Sequence, residues 1–260
     1  MIRKSTAFLR VLPNYLIIGA QKAGTSSLFN YLSMHPQVKN SYKKEVHYFD
    51  KNYDKPINWY KQYFPFKFGV NDKTMIGEAT PNYLYHPFVA GRIKKTIPDV
   101  KMIVLLRNPV ERVISQYFQA VRKNNEKRPL MQSLLEEEQE EKIIFEKLTK
   151  DENYYPTEAH VLYKSRSRYA EQLKRYYELF DKEQIFVVSS KDLLLKPNEV
   201  LEKIFAFLGI DTHFYLREIN LLNVGTNKKD VPQDVISYLN DYFKPYNEEL
   251  FNLLGYKIDW

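Results

Sequence analysis

The sequence predicts an α/β domain in which helices flank a central parallel sheet, and three stretches predict it. The first is Tyr15-Leu16-Ile17-Ile18-Gly19-Ala20-Gln21-Lys22-Ala23-Gly24-Thr25-Ser26-Ser27-Leu28, an apolar run that enters a glycine-bounded loop and then a helix. The second is Val100-Lys101-Met102-Ile103-Val104-Leu105-Leu106, a strand of the type covered on both faces. It is followed by Arg107-Asn108-Pro109 and by helical spacing over 110–118. The third is the late alternation of a strand at 184–190 with a helix at 200–208. A chain of 260 residues with 44% hydrophobic content can form one sizeable core, and no Gly-, Pro- or Ser-rich linker divides it. One P-loop-like domain over 1–260 is therefore expected, with 1–13 as a lead-in and 123–160 as a variable helical insertion.

Taken in order, Met1 to Pro13 carries Arg3, Lys4 and Arg10 between short apolar runs, too little for a signal peptide or a membrane span. The loop after the first strand has the layout of a phosphate cradle. Its backbone N–H groups and those of the following helix point at one spot, where an anion also meets the positive end of the helix dipole. The usual triphosphate loop has Lys directly after its second glycine. Here Gly24 is followed by Thr25 and Ser26, and the only lysine, Lys22, lies inside the loop. A phosphate-bearing group suits this arrangement, but the layout is not that of a Mg-nucleotide site. Arg107 falls at the carboxyl end of its strand, where open α/β sheets bind ligands, and Ser115 lies about two turns into the next helix. A guanidinium fork with a hydroxyl suits a second phosphate. The plainer alternative pairs Arg107 with a surface acid and turns Ser115 to solvent.

Beyond that helix, the basic run 122–128 either lines an acceptor groove or forms a solvated helix end. Residues 130–150 read as a solvated surface helix with one acidic face, Glu136-Glu137-Glu138-Gln139-Glu140-Glu141. Residues 165–180 read as an amphipathic helix carrying Tyr169, Leu173, Tyr176 and Phe180. The net charge of +7 favours an anionic partner, yet the basic residues are dispersed and carry no nucleic-acid module, so nucleic acid is not expected. There is no cysteine, and the five histidines show no pair at zinc-ligand spacing, so no metal site is expected.

Two motifs together resemble a known family. Gln21-Lys22-Ala23-Gly24-Thr25-Ser26-Ser27 and Arg107-Asn108-Pro109-x-x-Arg112-x-x-Ser115 are similar to the cofactor motifs of the sulfotransferases that use 3′-phosphoadenosine 5′-phosphosulfate. The stretches Lys44-Glu45-Val46-His47-Tyr48-Phe49-Asp50, Asn58-Trp59-Tyr60-x-x-Tyr63-Phe64-Pro65, and Tyr242-Phe243-x-Pro245-Tyr246-Asn247 with the ending Gly255 to Trp260 resemble the heparan-sulfate branch. The resemblance covers about 15–122 and 165–260. It implies the sulfotransferase fold, the phosphosulfate cofactor with adenosine 3′,5′-bisphosphate as product, and no metal.

The resemblance also implies residue roles. Lys22, Ala23, Gly24, Thr25, Ser26 and Ser27 hold the 5′ side of the cofactor, with Lys22 meeting the leaving oxygen. Arg107 and Ser115 hold the 3′-phosphate, Tyr169 stands beside the cofactor, and Thr226, Lys228 and Lys229 form a lid. Glu45 is the general base, with His47 and Asp50 nearby to orient it or the acceptor. One position departs: Gly77-Glu78-Ala79-Thr80-Pro81-Asn82-Tyr83 has Ala79 where the family often carries lysine. The acceptor implied is a polysaccharide or oligosaccharide, with a lipid or small metabolite as the alternative. The expected setting is bacterial and cytoplasmic. A P-loop kinase and a noncatalytic anion- or carbohydrate-binding protein are the competing classes, the kinase disfavoured because an acidic Mg ligand is expected where Arg107 stands.

Overall fold

The computed structural model describes residues 2–156, 161–216 and 231–260. Its elements run α1 (Ile2–Ser5), β1 (Tyr15–Gly19), α2 (Thr25–Ser33), β2 (Val38–Asn40), α3 (Tyr48–Lys51), α4 (Ile57–Lys61), β3 (Met75–Ala79), α5 (Val89–Thr96), β4 (Lys101–Leu106) and α6 (Pro109–Arg122). They continue with α7 (Leu130–Lys150), α8 (Tyr169–Tyr177), β5 (Ile185–Ser189), α9 (Ser190–Leu195), α10 (Pro197–Leu208) and α11 (Gln233–Leu254). The five strands form one sheet in the order β2-β3-β1-β4-β5, every neighbouring pair parallel. The predicted parallel α/β architecture is therefore the observed one. The strand order runs outward from β1 in both directions, which leaves the carboxyl ends of β1 and β4 side by side at the place such sheets use for ligands.

Tyr15 to Ile18 of β1 and Met102 to Leu106 of β4 have no solvent exposure, because helices cover both faces. Their register is locked by shape. Tyr15 pairs with Gly77 of β3, and a Cβ on Gly77 would fall inside the Tyr15 ring. A second apolar cluster joins α6, α7 and α11 through Val113, Leu134, Leu239 and Phe243.

Helix starts follow local chemistry. Gly24 caps α2 at φ 98°, a left-handed value that glycine adopts without Cβ strain. Asn108 caps α6 by accepting from Glu111 N at 3.2 Å, and Pro109 occupies the first helical position. The predicted helix at 165–180 narrows to α8, preceded by a 3-10 turn at Ser165–Ser167.

The expectation of a solvated acidic face on α7 is corrected. Glu137 is buried and accepts from Lys164 N at 2.6 Å and Ser165 N at 2.8 Å, while Glu141 pairs with Arg168. Buried N–H groups in the 164–165 segment need acceptors, and the helix supplies them. The basic run also divides: Arg128 bridges Glu126, Glu136 and Glu140, which clamps the start of α7 rather than facing an acceptor.

Candidate active site

The chain adopts left-handed backbone at four described residues other than glycine: Lys22 (φ 70°), Glu45 (φ 60°), His47 (φ 57°) and Asn124. Such conformations cost free energy and persist where the surrounding structure imposes them, often at functional sites. Three of the four are residues assigned chemistry from the sequence.

The first half of the site lies where β1 ends. Lys22 is drawn below its ordinary pKa, first by burial and then by the nearby charges of Arg122, Arg107, Lys123 and Arg112. Cations held together in this way form a receptor for an anion. Arg107 reaches across from the end of β4. It forks onto Glu111 at 2.7 Å, and its Nη1 donates to the Lys22 carbonyl at 3.2 Å, so the two predicted anion loops are tied to each other. The predicted surface-acid pairing of Arg107 thus coexists with its place beside Lys22. Arg112, in the same motif, is fully buried instead and donates to Gln116 at 2.6 Å, to Ser167 and to the Tyr163 carbonyl. Burial lowers its pKa to about 10.

In the cradle, Ala23, Thr25 and Ser27 are buried, Lys22 and Ser26 are half-buried, and Gly24 is exposed. Ser115 is half-buried on α6. Tyr169 is a core residue whose hydroxyl donates to the Arg107 carbonyl at 2.9 Å, so it reaches the site through Arg107. Thr226, Lys228 and Lys229 lie outside the described residues.

The second half sits over the end of β3, next to β1. Glu45 N donates to the Ala79 carbonyl at 3.0 Å, and Thr80 N donates to the Ile17 carbonyl at 3.1 Å. Glu45 touches Lys44 Nζ at 2.7 Å and His47 Nε2 at 3.6 Å. His47 Nδ1 lies 2.9 Å from Asp50 Oδ2, which also accepts from Asn82 Nδ2 at 2.7 Å. Asn82 Oδ1 in turn accepts from Arg166 at 3.0 Å. His47 holds the Glu45 carboxyl down to about 2, with Lys44 assisting against burial. Burial pushes the His47 imidazole down, but Asp50 and Glu45 outweigh it and raise it to about 9. The site as built is a carboxylate, an imidazolium and a buried carboxylate in series.

The sulfotransferase domain model matches residues 12–230. The chain belongs to that family. Its similarity to the sulfotransferase crystal structure from Alicyclobacillus acidocaldarius is 30% identity and a TM-score of 0.76, covering 95% of this chain and 98% of that one. It is 29% identical to the membrane-associated sulfotransferase kil1 of Dictyostelium discoideum, over 97% of this chain and 67% of the relative. It is 28% identical to human heparan sulfate glucosamine 3-O-sulfotransferase 5, over 96% of this chain and 74% of the relative. The protein is thus a sulfotransferase, and the kinase and noncatalytic alternatives fall away.

Several residues of this candidate site receive no role, or only a general one, from the sequence. Arg122, the last residue of α6, and Lys123 just after it lie near enough to Lys22 for their charges to lower its pKa. Thr80 accepts from His47 N at 3.4 Å and donates to the buried Glu78 at 2.7 Å, and the Tyr83 hydroxyl accepts from Tyr48 N at 2.9 Å. These hold the segment that carries Glu45 and His47. Polar residues at the end of the otherwise apolar β3 were the available signal. Where the family lysine is expected, Ala79 is fully buried and lends only its carbonyl to Glu45. No described helix is long and apolar enough to cross a membrane.

Proposed function

We propose that this sulfotransferase moves a sulfuryl group from 3′-phosphoadenosine 5′-phosphosulfate to a hydroxyl or amine on a glycan. The observation that carries the reading is the juxtaposition, at one end of the sheet, of a cation cluster built on Lys22 and Arg107 with the Glu45, His47 and Asp50 series. The cluster fits the donor: Arg107 is tied to the Lys22 carbonyl, and the charges of Arg122 and Lys123 lie near Lys22, which suits a doubly phosphorylated ligand.

When bound, the donor supplies an electrophilic sulfur and a phosphate leaving group. Lys22 and the donors of Ala23 to Ser27 hold the 5′ side, and Lys22 meets the charge that develops on the leaving oxygen. Arg107 and Ser115 hold the 3′-phosphate, with Tyr169 fixing the Arg107 backbone. Glu45 takes the acceptor proton as the new S–O or S–N bond forms and the bond to the leaving oxygen breaks. Its carboxyl is ionised before the acceptor arrives, but held at about 2 by His47 and Lys44 it is a weak base until those contacts loosen. The Lys44 and His47 charges that hold its pKa low must share it with the incoming hydroxyl. Asp50, fastened by Asn82, keeps His47 in place.

A glycan is favoured by the relatives that bear heparan sulfate in their names and by the exposed Lys43 two residues before Glu45. Ala79, in the family lysine position, argues for an acceptor recognised differently from heparan sulfate. The test is incubation with labelled donor against polysaccharides, oligosaccharides, lipids and small alcohols, followed by identification of the product. Label transferred only to a non-sugar acceptor overturns the glycan reading. No transfer and no retention on an adenosine bisphosphate resin overturn the donor assignment.

A further inference from the structure

Away from the catalytic groups, beside the edge strand β2, lies an open cleft of about 530 Å³. Arg3, Arg10 and Lys39 line it together with the rings of Tyr42, Tyr63 and Phe68, and among the described residues no carboxylate contributes to its wall. Phe68 is 82% exposed and Tyr42 57% exposed. Large aromatic side chains held this far into solvent are costly unless something covers them.

The rings are ordered. Tyr42 stacks on Tyr63 with centroids 5.3 Å apart, and Phe66 stacks on Phe68 at 4.9 Å. The Arg3 guanidinium lies over the Tyr42 ring at 4.0 Å, and that of Arg10 over Phe66 at 3.8 Å. Arg10 is buried and committed to the Phe64 carbonyl at 2.6 Å, so it contributes charge more than contact. Arg3 and Lys39 donate to backbone carbonyls, those of Gln62 and Gly69, which leaves their charge unneutralised toward the cleft.

One wall residue of the cleft, Tyr42, belongs to the segment that leads to the proposed catalytic site. Tyr42 is three residues before Glu45, a separation of about 10 Å at most along an extended chain, and Lys43 and Lys44 lie between them. The Ser41 N bond to the Gly77 carbonyl at 2.7 Å and the Glu45 N bond to the Ala79 carbonyl at 3.0 Å run this segment along the end of β3.

We propose that this cleft is a remote acceptor subsite that binds the flanking sugars of an anionic polysaccharide while Glu45 engages the residue to be sulfated. The proposal rests on the glycan sulfotransferase reading above. Flat aromatic faces carry negative charge density and accept the C–H face of a sugar ring. The cations beside them meet carboxylate or sulfate groups that a neutral glycan lacks. An acceptor that reaches both places gains affinity from sugars that do not react, which lowers KM with little change in the chemical step.

The experiment uses the full chain, with a heparin-derived tetrasaccharide and decasaccharide, a neutral glucan decasaccharide and a single-stranded oligodeoxynucleotide of matched charge as probes. Fluorescence of Trp59, whose ring lies 5.2 Å from that of Tyr63, reports occupancy. The heparin decasaccharide should bind about tenfold more tightly than the tetrasaccharide, and Arg3→Ala combined with Phe68→Ala should remove that preference. Both positions lie outside the catalytic machinery, and Phe68 is exposed enough to be replaced without loss of folding. Equal binding of both heparin lengths, an unchanged preference in the double variant, or equal binding of the neutral glucan or the oligonucleotide overturns the subsite. Calorimetry with adenosine 3′,5′-bisphosphate, run on the same proteins, separates the two readings. If that ligand binds wild type and variant alike while the length preference is missing, only the subsite fails. If it binds neither, the donor assignment fails.

Discussion

Glu45 and Lys22 are both charged and both held in left-handed backbone, yet they act at opposite ends of the proposed transfer. Glu45→Gln preserves shape but cannot take a proton, so turnover should fall by about 10²–10⁴-fold while adenosine bisphosphate affinity barely changes. Lys22→Ala should impair binding and rate together, because Lys22 meets the phosphate side before and during transfer. Steady-state kinetics on an active acceptor, paired with calorimetry, checks both. A Glu45→Gln enzyme near the wild-type rate would move the base elsewhere, with His47 next to test. The same group of residues makes a pH prediction. His47 is raised from 6.5 to about 9, so its contribution to stability is complete below pH 6.5 and is lost as pH rises through about 9. Glu45 is lowered from 4.5 to about 2, so its contribution is present above pH 4.5 and is lost as pH falls through about 2. NMR titration should place the His47 ring near 9, and Asp50→Asn should move it down toward 6.5. A ring that titrates near 6.5 in wild type would break the proposed series.

At the scale of elements, the pairing of β1 with β3 governs both halves of the site, since the cradle leaves β1 and Glu45 rests on the end of β3. Gly77→Ala would push a methyl into the fully buried Tyr15 ring, which has no room to retreat. Overpacking of this kind typically costs about 1–3 kcal/mol. A denaturant midpoint that does not move would mean the two strands can separate without penalty. The helix α7 illustrates another dependence. Glu137 satisfies two buried N–H groups in the segment before α8, and that segment also supplies Arg166 to Asn82. An insertion that looks peripheral thereby supports the segment that fastens Asp50 through Asn82.

For the whole molecule, the fold brings the Lys22 loop and Arg107 from separate strands to one place, so ligand binding and stability should be linked. Adenosine bisphosphate at about 100 times its Kd should stabilise the protein by about 2.7 kcal/mol. Excess chelator should leave its affinity unchanged, because the proposed contacts are cations, hydroxyls and backbone donors. Arg107→Ala should weaken binding by about 1.5–3 kcal/mol, the range for a charged hydrogen bond. A strict divalent-metal requirement in calorimetry, or normal binding by a folded Arg107→Ala protein, would contradict the arrangement.

The sequence by itself determined the parallel α/β plan and the family, and it marked the two loops proposed here to bind anions, because each is written in local pattern: apolar runs, a glycine-bounded turn, and an Arg-Asn-Pro at a helix start. It also brought out Glu45, His47 and Asp50 through a short motif. It singled out Arg107 but gave no account of Arg112, which is buried against Gln116, Ser167 and Tyr163 in the same motif. Nor did it show that Glu137 is buried, that Arg166 and Asn82 fasten Asp50, or that Arg122 and Lys123 approach Lys22. Only the tertiary structure decided these points. Periodicity reports how one segment meets water on average, whereas the role of a charged side chain depends on which distant segment removes its water and supplies its partner.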